Sequence, residues 1–214
     1  MAKIIKLNPV RSKTPSKRSS ADHASEAGRT SNGTKKQIYP RAHKMGAKLE
    51  RTLVLLKPDA IHRGIIGEIL QRFEKIGAKM VGMKLLVSEK DTAMKHYTED
   101  LSKRRGEKVR QMMVEMLISG PIIAVVFEGV DMVEVARKLI GATEPKSAVP
   151  GTIRGDFAHV SYRYADEKGI GIFNLIHASA TPEEAETEIN VWFKPEELIR
   201  HRPIYTRFTL REED

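Results

Sequence analysis

Leu53-Val54-Leu55-Leu56, halted by Lys57-Pro58-Asp59, is the stretch that decides how this chain folds. Four consecutive apolar residues followed by a lysine, a proline and an aspartate read as a buried strand that ends in a turn. Downstream, Ile65, Ile66, Ile69, Leu70, Phe73 and Ile76 recur at helical spacing and Gly77 supplies the stop, so an amphipathic helix follows the strand. Residues 78–87 suit a second strand, Asp91 to Tyr97 a short helix, Gly106 to Leu117 a longer one, and Ile122 to Phe127 a central strand rich in Ile and Val. Val133, Ala136, Leu139 and Ile140 line one side of a helix that stops at Gly141. The segment from Ala142 to Asp156 has prolines and glycines but no period and reads as a loop. Leu175-Ile176 forms a short strand before His177. Thr181-Pro182-Glu183-Glu184 then offers an N-cap, a proline at the first helical position and a capping-box acid for a last helix that runs to about Trp192. This order predicts an α+β fold: a ferredoxin-like α/β sandwich with a four-stranded antiparallel sheet and helices packed on one of its faces.

The chain has 214 residues, enough for one well-packed domain and an appendage. It contains no cysteine, which excludes disulfides, thiolate metal sites and cysteine nucleophiles. Apolar runs such as Ile122 to Phe127 are far short of a membrane span and the N-terminus lacks a secretory signal, so a soluble, cytoplasmic protein with no membrane association is expected. The net charge of +9 suggests nucleic acid until it is divided by region. Residues 1–49 hold twelve Lys and Arg against Asp22 and Glu26, a net +10, while the remainder holds 25 basic and 26 acidic residues, a net −1. The basicity therefore belongs to a Ser-, Lys- and Arg-rich arm with too few apolar residues to offset ordering, read here as disordered. Only Tyr39 offers an aromatic ring within it, so nucleic-acid binding through the arm is possible but not favoured. An organelle-targeting role for the arm ranks below the cytoplasmic reading.

Two phosphate-binding patterns fail on inspection. Gly141-Ala-Thr-Glu-Pro-Lys146-Ser147 has Pro145 where the P-loop needs a glycine, and Gly169-Ile-Gly171 neither follows a convincing strand nor opens a helix. Of seven histidines, His177 has the most suggestive neighbours. It ends a short strand between Asn174 and Ser179, and Glu188, one to two turns into the next helix, faces back toward it, placed to orient an imidazole. A neutral histidine, with an ordinary pKa of about 6.5, is a competent nucleophile toward phosphorus, and Lys57, Arg137, Thr143 and Arg154 are available to balance phosphate charge. Taken singly, Arg137 reads equally as an exposed helix residue and Glu188 as an acid favoured by the helix dipole. His96 sits on a short, polar-looking helix, and Met112, Met113 and Met116 read as core filler.

Glu50-Arg-Thr-Leu-Val-Leu-Leu-Lys-Pro-Asp59, Arg63-Gly64, Gly67-Glu-Ile69, His96-Tyr97, Ser119-Gly-Pro121, Pro150-Gly-Thr-Ile-Arg-Gly-Asp156, Asn174-Leu-Ile-His-Ala-Ser179 and Trp192-Phe-Lys-Pro-Glu-Glu197 occur in order along the chain. Together they resemble the nucleoside diphosphate kinase family across residues 50–199, leaving 1–49 as an N-terminal and 200–214 as a C-terminal extension. The resemblance implies transfer of the terminal phosphate of a nucleoside triphosphate to a nucleoside diphosphate by a ping-pong mechanism through phosphorylated His177, with ATP and other nucleotides as substrates. It implies that Glu188 and Ser179 hold and assist His177, with Tyr97 nearby. By the same resemblance Lys57 reaches sugar and phosphate, Asn174 the ribose hydroxyls, and Arg137, Thr143 and Arg154 the phosphates. Magnesium, held mainly by the nucleotide phosphates with no direct protein ligand, and a homo-oligomer, a hexamer or tetramer, are implied likewise.

The match departs from the family pattern in three places. Val109 and Arg110 stand where a pair of phenylalanines is usual, so the base-stacking aromatic is missing. The spacing from Tyr97 to Ser119 is long, and 161–173 reads as an insertion before the catalytic strand. With no specific polar reader for the base, broad base specificity is expected. The alternative is a catalytically weakened nucleotide- or nucleic-acid-binding scaffold with a basic tail.

Overall fold

The structure, a computed structural model, describes residues 49–206. The proposed disordered arm, apart from Leu49, and the end of the C-terminal extension lie outside the described residues. Leu49 itself belongs to the first strand.

Four strands, β1 (Leu49–Leu56), β2 (Lys79–Val87), β3 (Pro121–Val130) and β4 (Ile176–Ala178), form one sheet in the order β2-β3-β1-β4, with every neighbouring pair antiparallel. The central position of β1 explains its apolar run. Leu53, Val54, Leu55 and Leu56 are all fully buried, and successive side chains enter opposite layers. Val54 and Leu56 join Ile69, Phe73, Phe127 and Ala136 under α2 (Ile66–Lys75) and α6 (Met132–Ile140). Leu53 and Leu55 join Ala93, Tyr97, Leu117, Ile189 and Trp192 under α3 (Lys90–His96), α5 (Glu107–Ile118) and α9 (Pro182–Trp192). Helices thus cover both faces of the sheet, and the expectation of a single covered face is corrected. A run without polar alternation is what a strand buried on both sides requires.

Local signals act where they were read. Gly77 adopts φ +75 at the end of α2, a left-handed stop that favours glycine. Thr181 caps α9 by accepting the Glu184 N–H through its hydroxyl, while the Glu184 carboxylate takes the N–H of Ala180 rather than that of the cap itself. Three further helices occupy stretches read as loop or insertion. These are α4 (Glu99–Arg105), α7 (Ile153–Phe157), which begins within the supposed Ala142–Asp156 loop, and α8 (Tyr162–Lys168). A short α1 (Pro58–His62) follows β1 directly. Met116 is core, as read, but Met112 and Met113 are only partly buried and border a cavity. Among the described residues no helix is long and apolar enough to cross a membrane.

Candidate active site

Strand pairing places the reactive group. β4 lies antiparallel to β1 with His177 opposite Leu55, so the imidazole emerges on the face covered by α3, α5 and α9. The chain enters β4 through Leu175, a buried non-glycine residue at φ +69. Such a conformation persists only where the surroundings impose it. Here Lys57 N–H donates to the Leu175 carbonyl at 2.8 Å and Leu175 N–H donates to Asp59 at 2.9 Å, fixing the bend from both sides.

Glu188, on α9, is buried beneath the ring. Its Oε1 lies 2.8 Å from His177 Nε2, and its Oε2 accepts the Ser179 hydroxyl at 2.6 Å. That hydroxyl in turn accepts the Leu53 backbone N–H at 3.2 Å, so its proton has one direction to point. Burial raises the Glu188 pKa, against the pull of His96 and the Ser179 hydrogen bond. The carboxylate sits close to His177 Nε2 but off the axis of an aligned hydrogen bond, a common state of a ligand-free site. Nε2 is buried, while about a fifth of the side chain remains exposed, which leaves the opposite edge of the ring, with Nδ1, toward open space.

His96, passed over as part of a polar helix, belongs to this group. Its ring meets the His177 ring edge-on at 4.5 Å, and its Nδ1 accepts the Trp192 indole N–H at 3.3 Å and lies 3.3 Å from Glu188 Oε1. Because the indole can only donate, the His96 proton resides on Nε2, which is buried without a partner. The signal for His96 was its register: Ala93, His96 and Tyr97 recur at helical spacing and all are buried.

Burial and neighbouring cations set the charge of the imidazole. Burial, then Lys57, lowers the His177 pKa to about 3, with Arg154 and Arg137 adding to the effect and Glu184 opposing it. Burial, with His177 and Lys57 against Glu188, lowers His96 to about 3 as well. Both rings are therefore neutral near pH 7. Lys57 is lowered to about 7 by its own burial and by Arg154, and its ammonium donates to Asn174 Oδ1 at 2.7 Å. Asn174 Nδ2 donates to the Thr143 carbonyl at 2.8 Å. Arg154 is buried and donates to three carbonyls, those of Asn174, Gly141 and Ile176, tying the 141–154 segment to the approach to β4; burial lowers its pKa to about 10.

His177, Glu188, His96 and Tyr97 border a cavity of about 480 Å³, walled further by Val109, Met112 and Met113 of α5, Arg104 and Arg105 of α4, and Tyr162 of α8. The Tyr97 hydroxyl is buried without a partner and its pKa is raised by burial. Lys57, Asn174 and Arg154 lie beside His177 without bordering this cavity. Arg137 and Thr143 are exposed, and Arg137 borders a separate depression with Glu134, Lys138 and Thr181. Of the ten residues singled out from sequence, the structure gathers His177, Glu188, Ser179, Tyr97, Lys57, Asn174 and Arg154 around one strand end. Val109 stands across the cavity, and Arg137 and Thr143 do not border it.

The family model described as nucleoside diphosphate kinase matches residues 50–198. This chain belongs to the nucleoside diphosphate kinase family. It is a nucleotide-binding phosphotransferase, and its similarity to members from Borreliella burgdorferi and Pyrococcus furiosus runs nearly their full length. A nucleoside diphosphate kinase of Borreliella burgdorferi is 46% identical over 155 residues, 72% of this chain and 93% of that protein. One of Pyrococcus furiosus is 46% identical over 154 residues, 72% of this chain and 89% of its own length. Among solved structures, a transition-state mimic of the Borrelia burgdorferi nucleoside-diphosphate kinase with bound vanadate and ADP superimposes with a TM-score of 0.73 at 44% identity, covering 75% of this chain and 96% of that one. An NDP kinase from Pyrobaculum aerophilum gives a TM-score of 0.66 at 35% identity over 72% of this chain and all of its own.

Proposed function

We propose that this enzyme transfers the terminal phosphate of a nucleoside triphosphate to a nucleoside diphosphate in two half-reactions through phosphorylated His177. The observation that carries the reading is the setting of one ring: Nε2 is pressed against the buried Glu188 while the other edge opens onto a nucleotide-sized cavity. Glu188 draws the imidazole proton to Nε2 and leaves the Nδ1 lone pair free. Nδ1 attacks the terminal phosphorus, an N–P bond forms, and the bridging P–O bond breaks with its electron pair leaving on the diphosphate. In the second half-reaction a terminal oxygen of an incoming diphosphate attacks the same phosphorus and the N–P electrons return to Nδ1.

Phosphoryl transfer depends mainly on in-line positioning and neutralised oxygens. Lys57 and Arg154 supply positive charge beside the ring, Arg154 retaining N–H groups beyond the three its carbonyl partners occupy. Arg137 and Thr143 approach the phosphates from the periphery and Asn174 the ribose. Tyr97, with its unpartnered hydroxyl, faces the transferred group. The nucleotide is taken as its magnesium complex. The clustered donors His96, His177 and Glu188 include two imidazoles and suit a softer ion than magnesium, which favours phosphate oxygens and water. Broad base use is supported by the apolar character of Val109, Met112 and Met113 in the cavity. A homo-oligomer, hexamer or tetramer, is supported by edge strand β2, where Met83, Leu85 and Val87 are each more than half exposed; light scattering measures it.

Incubation with ATP and magnesium should label the protein with acid-labile phosphate before any acceptor is present, and a nucleoside diphosphate should then remove it. His177→Ala should take no label. Undiminished labelling of that variant sinks the assignment, and absence of label on the wild type favours the scaffold reading instead.

A further inference from the structure

The two stretches read from the sequence as longer than the family pattern, around 98–108 and 161–173, meet across the cavity that holds His177. The first contributes Arg104 and Arg105 at the end of α4, and the second contributes Tyr162, Ala165 and Asp166 of α8. They touch each other: the Arg105 guanidinium lies 5.1 Å above the centre of the Tyr162 ring. Val109, the residue standing where a stacking aromatic is usual, borders the same space. On the reading that this cavity receives a nucleotide, we propose that Tyr162 is the aromatic surface on which the base stacks, replacing the ring that Val109 does not provide.

The segment carrying Tyr162 is built to hold it still. Tyr162 N–H donates to Glu144 Oε1 at 2.9 Å, Ser161 caps α8 through its hydroxyl, and Lys146 N–H donates to the Val160 carbonyl at 3.1 Å. These bonds fasten the start of α8 to the 144–147 turn. Beyond α8 the chain returns against α5 at Gly171, where a β-carbon would come within 2.9 Å of the Met112 carbonyl oxygen. Both ends of the segment are thus pinned. One face of the Tyr162 ring carries Arg105, an arrangement that extends to a guanidinium–tyrosine–base stack. Every nucleobase has an aromatic face, so such a contact raises affinity without choosing among bases.

Tyr162→Ala, Tyr162→Phe and Tyr162→Ala/Val109→Phe, compared with wild type in steady-state assays with purine and pyrimidine diphosphates, test this. Tyr162→Ala should raise KM about tenfold for both classes with saturated turnover within about twofold of wild type. Tyr162→Phe should keep the wild-type KM, and Val109→Phe should recover most of the loss in the double variant by restoring a ring from the α5 side. An unchanged KM in Tyr162→Ala overturns the proposal. So does a fall in turnover that neither Tyr162→Phe nor the added phenylalanine prevents, because that marks general distortion. Phosphohistidine labelling at saturating ATP separates the two levels: a wild type that labels while Tyr162→Ala keeps its KM refutes only the stacking role, whereas a wild type that never labels refutes the transfer reading beneath it.

Discussion

The two ends of the cavity are built by different means. At the reactive end, His177, Glu188, Ser179 and His96 sit on β4, α9 and α3, and each position follows from sheet register or burial. The Glu188 carboxylate, the Ser179 hydroxyl and His96 Nδ1 face protein partners, and burial together with nearby cations holds the ring neutral. At the recognition end, Arg104 and Arg105 are exposed cations, Val109, Met112 and Met113 are apolar and partly buried, and Tyr162 comes from a seven-residue helix. The contrast teaches that transfer chemistry demands ångström-level placement, which packed elements supply. A base that need not be distinguished from other bases demands only a surface.

That contrast breaks most decisively at Arg154, which holds the approach to β4 through three carbonyls. Arg154→Ala removes charged donors and leaves buried acceptors unpaired, so stability should drop by about 3–5 kcal/mol in urea unfolding. A loss below about 1 kcal/mol would show that the reactive end is held by the sheet alone. Next in size, Glu188→Gln keeps the shape but removes the charged acceptor facing His177. The rate of phosphohistidine formation should fall about a hundredfold. The melting temperature should hold or rise, since a buried carboxylate is replaced by a neutral group. Retained activity would mean that Glu188 only fills space.

Acidity sharpens the comparison further. His177, with a pKa of about 3, imposes no loss of activity between pH 5 and 7, because the ring is already neutral there. Lys57, with a pKa of about 7 in the free enzyme, loses its proton as pH rises, so kcat/KM should decline through and above pH 7 while the acid side stays flat. Lys57→Arg, charged throughout, should flatten the alkaline side as well. Stability runs the other way. An unfolded lysine keeps its proton up to about 10.4, so between pH 7 and that value the unfolded state binds more protons and Lys57 lends stability as pH increases. An acid limb centred near pH 6 in the wild-type profile would contradict the neutral-ring account.

Much of this was legible beforehand. The periodic segments α2, α5, α6 and α9 and the apolar cores of all four strands stood out, because period and end signals are local properties. His177 and Glu188 were legible as a pair, since one strand end and one helix start fix their separation. The second covered face was missed although Leu53 to Leu56 implied it, because a short apolar run says that both sides are buried without saying by what. His96 was missed because Lys90, Asp91 and Lys95 make α3 look polar, while the buried stripe through Ala93, His96 and Tyr97 is only one turn long. α4 and α8 carried their signals openly, acids in the first turn of one and Ser161 as the cap of the other, with Gly106 and Gly169 at positive φ closing each. Reading them as insertions hid that they were helices. That they meet over the cavity is a long-range fact which no local pattern contains.

The smallest expected effect falls at the recognition end, on Arg105. Its guanidinium is exposed and makes one ring contact and a weak 3.4 Å hydrogen bond to the Tyr162 hydroxyl. An exposed cation–π pair contributes about 0.5–1 kcal/mol, so Arg105→Ala should raise KM for a nucleoside diphosphate about two- to fivefold and leave turnover unchanged. The cause can be told from charge steering of the substrate. A lost stack should persist at high salt, whereas lost attraction between an exposed cation and phosphates should fade as ionic strength shortens the screening length to a few ångströms. Arg105→Lys makes the complementary point, keeping the charge but not the planar group that lies on the ring. If Arg105→Lys matches wild type and the Arg105→Ala defect disappears in salt, the recognition end works by charge, and its difference from the reactive end narrows to how deeply each is buried.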